Sequence, residues 1–249
     1  MGQTLLLIIH FVCMSGMRTF AQSMQDSGRV TNSGSVPLPT EYLRNVRAEL
    51  CKKWPANRTI NLVFHGHSVP AGYGRTPDVN TFDSYPYQVL KELKKIYPYA
   101  VINVIVTAIG GENSTQGAQR FRKDVLTHCP DVLFIDYALN DRKIGLGKAK
   151  ENMESMILMA LRQKIPVILL TPSADMNVPM LQPDNELEQF ATQIRALSAK
   201  YGLGLADSYS RFRQVEEKGE DIHAYMAQSN HPNAKGHALI ATEIMRYFK

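Results

Sequence analysis

Short apolar runs alternate with amphipathic stretches along most of the chain. Residues 60–64, 101–107, 132–137, 166–170 and 203–206 are short, predominantly apolar segments, several rich in Val and Ile, and each is followed by polar residues or glycine. Such runs predict strands buried on both faces. Between them, 84–96, 114–128, 147–163 and 185–201 carry apolar residues at helical spacing, and a last helix is predicted over 234–248. A further helix is expected from Thr40, after Pro39, with Tyr42, Leu43, Val46 and Leu50 on one face. The cluster Asn113-Ser114-Thr115 suits a helix N-cap.

Strands alternating with helices imply a parallel sheet covered on both sides, and right-handed crossovers leave few topologies. Five strands suit an open, doubly wound sheet, a three-layer α/β sandwich of flavodoxin-like type, better than a closed eight-stranded barrel. In such sheets ligands bind beyond the carboxyl ends of the strands. The chemistry is therefore sought in 66–68, 110–113, 139–141 and around Asp175, which follow four of the five runs.

The first 38 residues lie outside this pattern. Leu5 to Met14 is largely apolar, and Thr19-Phe20-Ala21 offers small residues at a cleavage position, so 1–21 reads as an export signal. Residues 22–38 are rich in Ser, Gly and Asn and read as a linker, leaving 39–249 as one domain. Cys13 lacks the flanking residues of a lipidated cysteine, so no stable membrane anchor is expected and the location implied is secreted or periplasmic. Export leaves Cys51 and Cys129, each ahead of a strand; a bridge between them and two separate thiols are both open. The net charge of +5 is spread without a basic stripe, which argues against nucleic-acid binding.

Ser68, in "GHSVPAG", sits where the first strand turns into a helix that Pro70 can begin. A serine there is either a helix cap or a nucleophile. His231, in "QSNHPN", comes from the last loop and could act as its general base. Gly111 and Asn140 could supply a backbone N–H and a side-chain amide to a developing oxyanion. His65-Gly66-His67 raises a second possibility, a metal clamp with His231 or His237. A third, the G-x-S-x-G elbow of α/β-hydrolases, is disfavoured by Pro70.

The four blocks "GHSVPAG", "AIGGENS", "YALND" and "QSNHPN", in this order from about residue 60 to the C-terminus, resemble the SGNH, or GDSL-like, hydrolases. The resemblance implies Ser68 as nucleophile, His231 as base, and an oxyanion hole made of the Ser68 and Gly111 N–H groups with the Asn140 amide. It implies no metal or organic cofactor, and an acylated small molecule or carbohydrate as substrate. The expected activity is hydrolysis of short acyl esters, acetyl foremost, through an acyl-Ser68 intermediate. Lysophospholipase or thioesterase activity, and a catalytically weak carbohydrate-binding protein, are the alternatives. The family usually has Asp before the nucleophile and Asp three residues before the histidine; here these positions are His67 and Gln228. A structural or substrate-contacting role is expected for His67. Gln228 is expected to orient His231 through its amide oxygen, though a backbone carbonyl or one of Asp175, Asp207 and Asp221 could take that part. Tyr73, Arg75, Asn80, Phe82 and Tyr85 are loop residues with the chemistry to contact a sugar.

Overall fold

The computed structural model describes residues 36–249; the expected export signal and nearly all of the expected linker lie outside this range. Five strands, β1 (Thr59–Gly66), β2 (Val101–Val106), β3 (Val132–Asp136), β4 (Val167–Leu170) and β5 (Gly204–Ala206), pair in parallel in the order β2-β1-β3-β4-β5. The order reverses at β1, and the crevice beyond β1 and β3 is the switch point where such folds bind ligands. The helices are α1 (Pro39–Tyr42), α2 (Arg44–Leu50), α3 (Ser68–Ala71), α4 (Tyr85–Ile96), α5 (Ser114–Asp124), α6 (Ala138–Asp141), α7 (Gly145–Arg162), α8 (Glu186–Tyr201), α9 (Ser208–Glu217) and α10 (Ala234–Met245). An antiparallel pair, β6 (Met226–Gln228) and β7 (His231–Pro232), precedes α10.

The central strands bury both faces, as their largely apolar sequences require. Ile60, Leu62 and Phe64 of β1, Val132 and Phe134 of β3, and Ile168 and Leu170 of β4 pack into one core with α4, α9 and α10. Val63, Leu133, Ile135, Val167 and Leu169 alternate into a second core against α5, α7 and α8. The Phe64 and Phe134 rings stack across β1 and β3 with centroids 4.2 Å apart. The flavodoxin-like three-layer sandwich is thus present.

Cys51 and Cys129 are both exposed and unbridged. Cys51 ends α2, and Cys129 occupies a left-handed turn with φ 47° before β3. No helix among the described residues is long and apolar enough to cross a membrane.

Candidate active site

The site grows from the carboxyl end of β1. The strand stops at Gly66, where β1 and β3 run so close that a Cβ would lie 2.4 Å from the Asp136 carbonyl. His67 then breaks the strand alternation and caps α3 by accepting a hydrogen bond from the Val69 N–H through Nδ1 at 3.3 Å. Ser68 opens the helix, 7% exposed, with its Oγ at the floor of a cleft.

His231 reaches that floor from β7. Its Nε2 lies 2.9 Å from Ser68 Oγ, across 163 positions of sequence. On the other side of the ring, Nδ1 lies 3.0 Å from the Gly74 carbonyl and 2.6 Å from the Gln228 amide nitrogen. A carbonyl only accepts, so the bond to Gly74 needs the proton on Nδ1. That tautomer leaves the Nε2 lone pair free to take the Ser68 hydroxyl proton. Burial lowers the His231 pKa; the Gly74 carbonyl opposes the shift and His67 adds to it.

Gln228 touches His231, but not as the sequence suggests. Its Oε1 accepts from the Thr76 N–H at 3.0 Å and the Thr76 hydroxyl at 3.2 Å. With the oxygen so engaged, the amide turns its NH₂ toward the imidazole. The orienting acceptor is the Gly74 backbone carbonyl, held in a loop closed by the Tyr73–Val79 bridge and the Gly74 N–H to the Asp78 carbonyl. Gln228 ties this loop to β6. The three candidate carboxylates are committed elsewhere: Asp175 to Arg142, Asp207 to Arg195 and Asp221 to the His223 N–H. "GYG" carries no sequence signal for a carbonyl acceptor, since any residue has one.

Across the cleft, Gly111 has φ +82°, and a Cβ there would meet nothing within 4 Å. Glycine is needed for the conformation, which leaves the backbone bare toward the cleft. Asn140 is buried on α6 and donates to the Glu112 carbonyl at 2.7 Å. That bond fixes the amide and leaves its second N–H for another acceptor. The buried Asp141, next in sequence, accepts from the Ser114 N–H at 2.7 Å and so ties α5 to α6. Burial raises its pKa to about 6. The cleft, 340 Å³ in volume, is lined by Ser68, Gly111, Asn140 and His231, with Tyr73, Thr76, Gly110, Lys143 and Asn230 around them. Lys143 and Asn230 carried no distinguishing pattern in the sequence.

The His-x-His clamp does not form. His65 Nδ1 bonds Thr107 Oγ1 at 2.9 Å and its Nε2 bonds the Gly117 carbonyl at 3.2 Å, so both nitrogens are occupied inside the second core. Burial there pushes its pKa down to about 3. His67 faces a different way, because the strand has ended. Nor is His67 a substrate contact: it is 1% exposed, beneath the nucleophile. Among the described residues no three His, Cys, Asp or Glu side chains converge as metal ligands. Of the loop residues suited to a sugar, Tyr73 lines the cleft and Phe82 is 84% exposed, whereas Tyr85 is buried with its hydroxyl on Asp136.

The model of the GDSL-like lipase/acylhydrolase family matches residues 64–239, which includes all four blocks. The chain belongs to this family. No curated protein matches the sequence. Among solved structures, an acetylxylan esterase from Geobacillus stearothermophilus is 21% identical with a TM-score of 0.66, over 76% of this chain and 94% of the other. Catalytic mutants of that enzyme replace a serine, a histidine and an aspartate. A two-domain esterase active on acetylated mannans is 22% identical with a TM-score of 0.68, over 88% of this chain and 55% of the other. At these identities the likeness is one of fold, that of the GDSL-like hydrolases.

Proposed function

We propose that the protein is an exported serine esterase that removes short acyl groups, acetyl foremost, from a carbohydrate. The observation that carries this reading is the 2.9 Å contact between His231 Nε2 and Ser68 Oγ at the floor of a cleft shared with Gly111 and Asn140. Ser68 Oγ attacks the acyl carbon while its proton passes to His231 Nε2. Charge on the carbonyl oxygen is met by the Ser68 and Gly111 N–H groups and the free N–H of Asn140. The tetrahedral species collapses as His231 returns the proton to the departing alcohol. Water then attacks the acyl-Ser68 ester with the same base and releases the acid and the free serine. Throughout, the Gly74 carbonyl holds Nδ1–H and keeps the ring in the productive tautomer.

Cleft chemistry supports a short acyl group. Glycine, serine, threonine, asparagine, lysine, histidine and one tyrosine line it, with no aliphatic wall for a long chain. That disfavours a lysophospholipid acyl group. Hydroxyl and amide groups at the rim suit a polyol leaving group, and the structurally similar esterases act on acetylated xylan and mannan. Pre-steady-state mixing with a chromogenic acetyl ester is the test. A burst of about one product per chain that disappears in Ser68→Ala is expected. Tight sugar binding with neither burst nor turnover would instead establish a binding protein.

A further inference from the structure

Beneath the nucleophile lies a second imidazole, unused by the steps above. His67 Nδ1 is 3.5 Å from Ser68 Oγ, and its Nε2 is 3.4 Å from Asp136 Oδ1. Both residues are buried, and among the described residues neither Nε2 nor Oδ1 has a hydrogen-bond partner, so the two atoms face each other without bonding. Asp136 Oδ2 accepts from the buried Tyr85 hydroxyl at 3.0 Å. Gly66 makes this arrangement possible, because only a residue without Cβ lets β1 approach the Asp136 backbone so closely.

The tautomer follows from the bonds. The Val69 N–H donates to Nδ1, so the His67 proton resides on Nε2, facing the carboxylate. Neutral His67 therefore turns a lone pair toward Ser68 and α3. A second proton would have to enter at Nδ1. It would break the cap on Val69 and place a cation beside Ser68 Oγ, where His231 must itself become cationic.

We propose that His67, set between Ser68 and Asp136, is a positioning residue for the nucleophile, and that turnover requires both imidazoles beside Ser68 to be neutral. In this site the carboxylate expected behind the base stands instead behind the histidine next to the serine. The charged and titratable groups facing His67 are Asp136 of β3, Asp141 of α6 and His231 of β7, with Tyr85 of α4 behind Asp136. Pocket walls do not include His67, so it cannot hand a proton to the leaving alcohol, and the general base stays His231.

This inference rests on the esterase reading, and the test separates the two. For the wild-type protein, kcat/KM against pH should fall on the acid side with a slope approaching two protons. His67→Asn keeps an oxygen acceptor for the Val69 N–H but cannot titrate. Its acid limb should have a slope of one, and its kcat should fall by about 10-fold with KM little changed. Asp136→Asn, which removes the charge facing Nε2, should lower kcat in the same direction as His67→Asn. A wild-type limb of slope one that superimposes on that of His67→Asn, with equal kcat, would overturn the proposal while leaving the esterase intact. Absence of any acetyl burst would instead sink the esterase reading. Should either variant fail to fold, NMR titration of the ring nitrogens in the wild-type protein decides. Proton entry at His67 Nδ1 that perturbs His231 supports the pairing, and two independent titrations refute it.

Discussion

His231 and His67 approach the same hydroxyl, at 2.9 Å and 3.5 Å, but what stands behind each ring differs. Behind His231 are a neutral carbonyl and an amide NH₂; behind His67 is a buried carboxylate. A carboxylate behind the base stabilises the imidazolium formed in the transition state, and a carbonyl does so only through its dipole. The Gln228 NH₂ does the opposite, since it favours a proton-free Nδ1 and hence the tautomer unable to accept from Ser68. Two neighbours thus pull the His231 proton in opposite directions. The Gly74 loop keeps the base side serviceable without a negative charge, whereas the nucleophile side carries one that the chemistry does not use directly.

The most severe way to break this comparison is to remove the base. His231→Ala should lower kcat by about 10⁴-fold or more in a protein that still folds. Appreciable residual turnover in that variant would mean that His67 can accept the proton after all. Asn140→Ala should reduce kcat by about 10²–10³ without altering the acid limb, because the amide serves the oxyanion and touches neither imidazole. A changed pH profile there would show that the two halves of the site are not independent.

Gln228→Glu sharpens the contrast further. The carboxylate can still accept from Thr76 and would place a negative charge against Nδ1–H. Wild-type His231 has a pKa below the ordinary imidazole value, chiefly through burial. In Gln228→Glu the acid limb should move up by roughly one pH unit or more, and kcat should rise severalfold. Gln228→Ala should cost activity only modestly, through a looser Gly74 loop. An unmoved acid limb in Gln228→Glu would show that the amide and the ring do not interact.

How far the sequence reveals these facts depends on which atoms do the work. The five strands, the order of the four blocks and the meeting of Ser68 with His231 were legible, because apolar runs fix the sheet and the sheet fixes its functional edge. Helix α9 and the pairing of β6 with β7 were not: the former is polar over much of its length, and the latter is only a few residues long. Gln228 was placed beside His231 correctly, yet its amide faces the other way, since Thr76 competes for the oxygen from 152 positions away. Gly74 acts through its backbone, to which a side-chain pattern is blind. Asp136 stands in plain view in "FIDYALND", but as an acid within an apolar strand it gives no sign that its partner is His67 until β1 and β3 are in register.

Asp141 offers the mildest test, on stability rather than turnover. It is the third titratable group on the crowded side of the nucleophile, and its pKa of about 6 against an ordinary 3.8 comes first from burial, with Asp136 adding to the rise. A carboxyl raised in the folded state binds its proton more tightly there than in the unfolded chain. Its stabilising share is therefore full below the unfolded value, near 3.8, and is lost as pH rises through the folded value, about 6. Asp141→Asn keeps an oxygen for the Ser114 N–H and does not ionise. Relative to wild type it should gain about 3 kcal/mol between pH 3.5 and pH 7.5, measured as the change in urea unfolding free energy. A stability difference that does not vary with pH would mean that Asp141 is already ionised at low pH. The excess charge beneath the nucleophile would then belong to two carboxylates together, and the acid limb would have to be read as the response of that pair to His67.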